Sequence, residues 1–300
     1  MGFDANKNMI TAAFVQQFHD SFEIASQQKD SRLQACVHDR GKITGTAFTI
    51  NDMGTIEMNE ITTRFGDTQW DVPEAGTRQA LMADYGLFIP VEKRDLRKLI
   101  ASPQGPYMNL TVSACNRKKD DVIYQALISP IQRKTEDKGA YSAVSLPSTQ
   151  KIVDASQPMT KSKLIAAKAM FRRNECDEQN GEELFITYNA DMLSQILADT
   201  TLTSADFMAV KMLQEGKLAD NWLGFKWIAY EKLNTDTTTH KIHTAVAWCK
   251  SAVHFGTGAD YNTDIGPRRD KNNTIQISVD ASYGAGRANE KKVVAIDFVA

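Results

Sequence analysis

A stretch bounded by Pro90 and Pro130 constrains this chain more than any other feature. Within it, Met108, Leu110, Val112, Cys115, Val122, Ile123, Ala126 and Leu127 recur mainly at three-, four- and seven-residue intervals. That period predicts a helix over 107–129 with one apolar stripe, about 20 residues long. A helix of that length needs a large surface to lean on. Two features flank or cross it. Ahead of it, Val91–Ile100 reads as a short charged helix, separated by a Ser-Pro-Gln-Gly-Pro break; across its middle runs an unbroken polar segment, Asn116–Asp121. Arg117, Lys118 and Lys119 form the basic patch of that segment.

The rest of the chain alternates extended and helical patterns. Ala12–Gln28 places Phe14, Val15, Phe18, Phe22, Ile24 and Ala25 at helical spacing, and Ser31–Asp39 is polar enough to read as an arm. From Lys42 to Pro90 the pattern turns extended, with Ile43–Ile50, Thr55–Ile61 and Gln79–Ile89 punctuated by glycines. Between Glu60 and Thr77 charged and threonine residues surround the isolated Phe65 and Trp70. A projection of this kind has no core of its own and needs another surface to cover it. Gln132–Gln150 reads as loop, followed by a helix over 160–174, a strand over 183–188, a short helix over 190–198 and mixed helix over 202–213. Strands follow at 222–230 and 240–248. The reading then gives a helical turn over 249–256, a loop over 261–273 and final strands at 274–283 and 292–299. The fold class expected is α+β.

Composition narrows the function. The 300 residues carry 35 basic and 37 acidic side chains, a formal charge of -2, so any contact with nucleic acid is expected to be local or weak. Cys36, Cys115, Cys176 and Cys249 form no close pair and read as free thiols of a cytosolic chain. No apolar run reaches the roughly 20 residues that span a bilayer, so no membrane contact is expected.

Catalytic patterns are weak throughout. His240, His243, Cys249 and His254 lack compact zinc spacing, and on a strand His240 and His243 point to opposite faces. Ser251 near His254 and Asp260 sits in no nucleophile elbow. Gly256-Thr257-Gly258 and Gly284-Ala285-Gly286 complete no phosphate-binding motif and read as turns. No catalytic, cofactor-binding or metal-binding residue is assigned.

The order of these elements resembles the major capsid proteins of tailed double-stranded DNA bacteriophages, of the short-tailed, podovirus-like type. The resemblance is carried by Phe185-Ile186-Thr187-Tyr188-Asn189, by Glu215-Gly216-Lys217 and by Leu223-Gly224-Phe225-Lys226-Trp227-Ile228. It continues in Ala247–Val253, similar to a helix start, and in Gly284-Ala285-Gly286-Arg287 leading into Val293–Ile296, similar to a final Gly-x-x-Arg turn and last strand. It implies an N-terminal arm over 1–39, an extended β-hairpin loop over 40–84 and an axial domain over 155–272. The remaining parts, 85–154 and 273–300, would form a peripheral domain around a spine helix at 107–129.

What the resemblance implies for function is structural. Many copies would form hexamers and pentamers of an icosahedral shell around double-stranded DNA held by weak, non-specific contact. The shell would assemble in the bacterial cytoplasm, with a portal protein at one vertex. The short N-terminal region implies a separate scaffolding protein, and Lys42, the one lysine in 40–84, implies a shell without lysine crosslinks from that loop. Intersubunit contacts are expected from Glu57, Glu60, Arg64, Phe65, Asp67 and Trp70, with Arg94 and Arg97 receiving acidic partners, and the run Asn116–Asp121 with Arg117, Lys118 and Lys119 is expected to meet a neighbouring subunit or the shell interior. An encapsulin-like nanocompartment shell and, further off, a cytosolic enzyme are the alternative readings.

Overall fold

The computed structural model describes residues 28–60, 62–64, 66–68, 70–91, 104–153, 157–198, 221–235 and 241–299. The expected helices at 12–28 and 91–100 and the mixed helix at 202–213 lie outside these residues, apart from their end positions Gln28 and Val91.

The spine is helix α1, Gln104–Ile128, 25 residues long. It begins earlier than its apolar period, because a proline in the first turn costs little where backbone N–H groups have no intrahelical acceptor; Gly105-Pro106 therefore opens the helix instead of breaking it. It ends just before Ser129-Pro130, since a residue preceding proline avoids helical dihedrals. Cys115, Ile123, Tyr124 and Leu127 are buried along its stripe.

Around the spine lie β1 (His38–Lys42), β2 (Ala47–Met53), β3 (Ala75–Leu81), β4 (Ala83–Val91), β5 (Ile131–Lys134), β6 (Ser142–Val144) and β7 (Lys151–Ile152). Then come α2 (Lys161–Arg173), β8 (Leu184–Tyr188), α3 (Ala190–Ala198), β9 (Asn221–Trp222), β10 (Phe225–Ala229), β11 (Asn234–Thr235) and β12 (Ile242–Cys249). The chain closes with β13 (Val253–Arg268), β14 (Thr274–Arg287) and β15 (Val293–Val299). A seven-stranded sheet orders β7-β15-β12-β8-β10-β9, with β11 paired to β12. Its central strand β12 is buried without alternation from Ala245 to Cys249, as a strand covered on both faces must be. Leu223 and Gly224, both at positive φ, make the two-residue turn between β9 and β10.

Among the described residues, two four-stranded sheets accompany the seven-stranded one, ordered β1-β13-β14-β4 and β2-β3-β5-β6. The second overturns the reading of 132–150 as loop: β5 and β6 pair there, and β5 covers the edge of β3. The extended hairpin therefore has a base supported by its own subunit. Thr55–Glu60, expected as strand, carries no regular structure.

Several other expectations change. Ser31–Asp39 is no free arm: Leu33, Cys36 and Val37 are buried. They are tied down by Asp120, fully buried on α1, which accepts from Ser31 Oγ at 2.6 Å and from the backbone N–H groups of Arg32 and Leu33. The loop expected over 261–273 is strand for most of its length, because β13, after register shifts between Thr257 and Asn262, stays paired with β14 as far as Arg268. Ala247–Val253 is no helix start but the end of β12, one 3-10 turn and the first residue of β13. Gly284–Arg287 is no turn but the end of β14.

One core runs across the expected boundary between peripheral and axial parts. Ile123, Tyr124 and Leu127 of the spine join Trp248, Val294 and Ile296 in a single cluster, and β15 lies between β7 and β12. The last strand is therefore shared with the sheet of the 155–272 segment.

Candidate assembly surface

Strands β2 and β3 pair antiparallel from Ala47↔Leu81 to Met53↔Ala75, and the described residues of 54–74 beyond them, the tip of the hairpin, are exposed apart from Pro73. Its neck is closed by Gly54 N–H donating to Glu74 O at 2.6 Å, and Asn59 Nδ2 donates to Asp71 Oδ2 at 2.7 Å. The tip carries the acidic Glu57, Glu60, Asp67, Asp71 and Glu74 against the single base Arg64. It also holds large apolar side chains in water: Met58 at 101% relative exposure, Trp70 at 84% and Val72 at 83%. Met53 and Ile56 are exposed beside them. At about 25 cal/mol per Å², such surface favours whatever covers it.

Glu57, Glu60, Arg64, Asp67 and Trp70 thus lie together on one projection, and all are exposed. Phe65, Arg94 and Arg97 lie outside the described residues. The basic patch of the spine helix divides. Lys119 is 4% exposed and pairs with Asp260 at 2.6 Å, its ammonium 5.5 Å from the Tyr283 ring centre. Together with the buried Asp120, it corrects the expectation that Asn116–Asp121 as a whole meets a neighbouring subunit or the shell interior: a charge on the core side of the helix is retained because an opposite charge or a set of donors meets it. Lys118 is half-exposed, pairing with Asp121 at 2.7 Å and lying 4.7 Å from the Tyr85 ring centre. Arg117 is half-buried beside it.

The root of the hairpin packs closely on two glycines of β14. Added to Gly286, a Cβ would lie 2.7 Å from Ala80 Cβ; added to Gly284, 2.8 Å from Leu81 O. These glycines, read as turn residues from sequence, instead leave room for the side chains of Ala80, Ile131 and Ile50 at Gly286 and for Met82 and the Leu81 carbonyl at Gly284. The root has its own small core of Phe48, Ile50 and Ala80, separate from the main one. Charge joins the two. Arg78 of β3, 4% exposed, donates from Nε to Asp52 Oδ2 at 2.9 Å and from Nη2 to Glu290 Oε2 at 2.8 Å, with Nη1 bonded to Glu290 Oε1. Arg133 of β5 reaches the same Asp52 oxygen at 2.8 Å. Glu290 also faces Arg287 Nε at 3.5 Å. Burial would raise the Glu290 carboxyl, but its hydrogen bonds and charge pairing with Arg78 hold it below the usual carboxylate range. Sequence reasoning missed this set because its members lie far apart in the chain.

Elsewhere, Cys36, Cys115, Cys176 and Cys249 are free and buried. No cluster of metal-ligating side chains occurs among the described residues, and no helix among them is long and apolar enough to cross a membrane.

The described residues thus combine an exposed hairpin, a long spine helix and a mixed sheet that includes the last strand. A family model described as phage capsid protein matches residues 10–300. The chain belongs to the phage capsid protein family. This capsid protein is a structural protein, and its fold matches those of solved phage capsid structures. The cyanophage Pam1 capsid asymmetric unit superposes with a TM-score of 0.71 at 12% identity, covering 97% of each chain. A Mycobacterium phage Che8 structure gives 0.71 at 14% identity, covering 94% of this chain and 96% of that one. The capsid of Ralstonia phage GP4 gives 0.68 at 8% identity and 95% coverage of each. No curated protein matches the sequence of this capsid protein.

Proposed function

We propose that copies of this capsid protein join through the tip of the extended hairpin, forming hexamers and pentamers of a closed icosahedral shell around double-stranded DNA. The observation that carries the reading is the tip itself. Trp70, Met58 and Val72 stand in water on a segment with five acidic residues and one base, beyond the reach of its own subunit's core. In a lone molecule that surface has no role; in a shell each copy covers its neighbour's. Arg64 and the acidic residues around it supply charge matching, which fixes register more than it adds affinity. Interfaces of ordinary size on several sides hold the shell even when the surplus per contact is small.

The remaining parts of the reading rest on the resemblance and the near-neutral charge. A separate scaffolding protein guides assembly in the bacterial cytoplasm, a portal protein occupies one vertex, and DNA is met weakly, with Arg117 and Lys118 available on the spine. The protein has no catalytic role.

The test replaces Met58 and Trp70 by Ser in the full chain, co-expressed with its scaffolding protein. The unaltered chain should give closed shells in electron micrographs, and the variant folded but unassembled protein. Shells of unchanged yield from the variant would overturn the proposal.

A further inference from the structure

The hairpin root has three unusual properties in one place. Its apolar cluster of Phe48, Ile50 and Ala80 is separate from the main core. The surface beneath it, on β14, is made of Gly284 and Gly286, against which β3 lies too close for a Cβ. Ala80, Ile131 and Ile50 seat against Gly286, and Met82 against Gly284, so the contact is close and apolar but carries no directional bond. What fixes the root is instead a carboxylate shared between two buried guanidiniums. Glu290, on the turn after β14, takes both oxygens to Arg78 on β3 and faces Arg287 on β14. Arg78 in turn holds Asp52 on β2, and Asp52 holds Arg133 on β5.

Bidentate pairing is directional: two parallel N–H to O contacts define a plane as well as a distance. Arg287 is itself immobile, being fully buried and bonded through Nη1 and Nη2 to the carbonyls of Leu127, Ser129 and Val144. The chain of contacts therefore runs from the end of the spine helix, through Arg287 and Glu290, to both strands of the extended hairpin.

We infer that Glu290 is the positioning residue that sets the angle at which the extended hairpin leaves the body, and through it the spacing of neighbouring copies in the shell. The inference rests on the shell-forming reading above. A small rotation at the root moves a distant tip by a multiple of that rotation, so the clasp acts where leverage on shell geometry is greatest. Gly284 and Gly286 supply the close apolar bearing, and Glu290 supplies the stop.

The experiment uses the full chain with Glu290→Gln, Glu290→Asp and Gly286→Ala, co-expressed with the scaffolding protein. Amide hydrogen exchange is measured on unassembled protein, and shell diameter by electron microscopy. Glu290→Gln keeps the shape of the side chain but leaves two buried guanidiniums without their shared anion. Exchange in 47–53 and 75–81 should quicken at least tenfold, while exchange in 242–249 and 293–299 stays within twofold of the unaltered chain. Shells should then lose their single diameter. Gly286→Ala, which carries no charge change, should shift the diameter by pushing the root off its bearing. Should Glu290→Gln fail to fold, the same readouts are taken on Glu290→Asp, whose shorter arm keeps the charge and loses the bidentate pose. Unchanged exchange in the hairpin with unchanged diameter overturns the inference, as does equal quickening in every strand. Failure of the unaltered chain to form shells refutes the shell-forming reading instead, and the selective exchange effect is read independently of it.

Discussion

Arg287 Nη1 donates to the carbonyl oxygen of Leu127 at 2.9 Å, so a guanidinium from the penultimate strand closes the end of the spine helix. The same nitrogen reaches Ser129 O at 3.1 Å, and Nη2 reaches Val144 O at 3.1 Å. A helix C-terminus leaves carbonyls without partners and carries partial negative charge, and a buried cation answers both. Burial pushes the Arg287 guanidinium down from its ordinary value, opposed by the charge of Glu290.

Arg287→Met keeps the volume and removes these donors. It should destabilise the folded protein by about 3–5 kcal/mol, because three carbonyls lose their donor and Glu290 loses one of its two cations. Urea unfolding of unassembled protein checks this; a loss under about 1 kcal/mol would show that water substitutes for the guanidinium.

Asp120 is the second buried charge with a structural task, gathering Gln28, Ser31, Arg32 and Leu33 onto the spine. Asp120→Ala should cost about 3 kcal/mol, since buried backbone donors lose an anionic acceptor. Limited proteolysis should then cut at or near Arg32 in the variant and spare that site in the unaltered chain.

His254 gives the stability a pH slope. Its imidazole accepts from Arg40 Nε at 3.0 Å and lies 4.6 Å from the His38 ring. Burial first, then the charges of Arg40, His38 and Lys292, push its pKa down from 6.5 to about 4. Between these values the unfolded chain binds a proton that the folded one refuses. Stability contributed by neutral His254 is therefore complete above about pH 6.5 and falls on acidification toward pH 4, with a slope of at most about 1.4 kcal/mol per pH unit. His254→Gln should flatten that slope in urea titrations across this window, and an unchanged slope would assign it to other groups.

Lys42 is the one lysine of the 40–84 segment, and it sits at the end of β1, away from the tip. Shells should therefore dissociate to single chains on denaturing gels. A ladder of covalent multimers would contradict this. In the same preparations, Arg64→Glu removes the only base of an otherwise acidic tip and should lower shell yield several-fold.

The parts of the fold readable from sequence are those whose burial is periodic. The stripe from Cys115 to Leu127 faces the core of the molecule, so a period near 3.6 marked α1. Val293–Val299 and Ile242–Cys249 stand out for the opposite reason, as apolar runs of central strands. β13 was hidden because its outer part, Ala259–Arg268, is largely exposed on both faces and carries Gly266-Pro267, so no alternation survives. The glycines of β14 looked like turns because a close approach between sheets leaves the same residue behind as a tight bend. Asp120 and Glu290 were hidden for a third reason. Their partners Leu33 and Arg78 are 87 and 212 positions away, and no local pattern records such a pairing. At the tip, composition sufficed: Trp70 among charged residues marked an exposed aromatic, and it is exposed.

A reconstruction of assembled shells by electron microscopy, read at Trp70, tests the central claim most directly. The account predicts that the Trp70 indole is covered by a neighbouring copy, with Met58 and Val72 in the same contact. A Trp70 left in solvent within closed shells, or folded back against its own subunit, would contradict it.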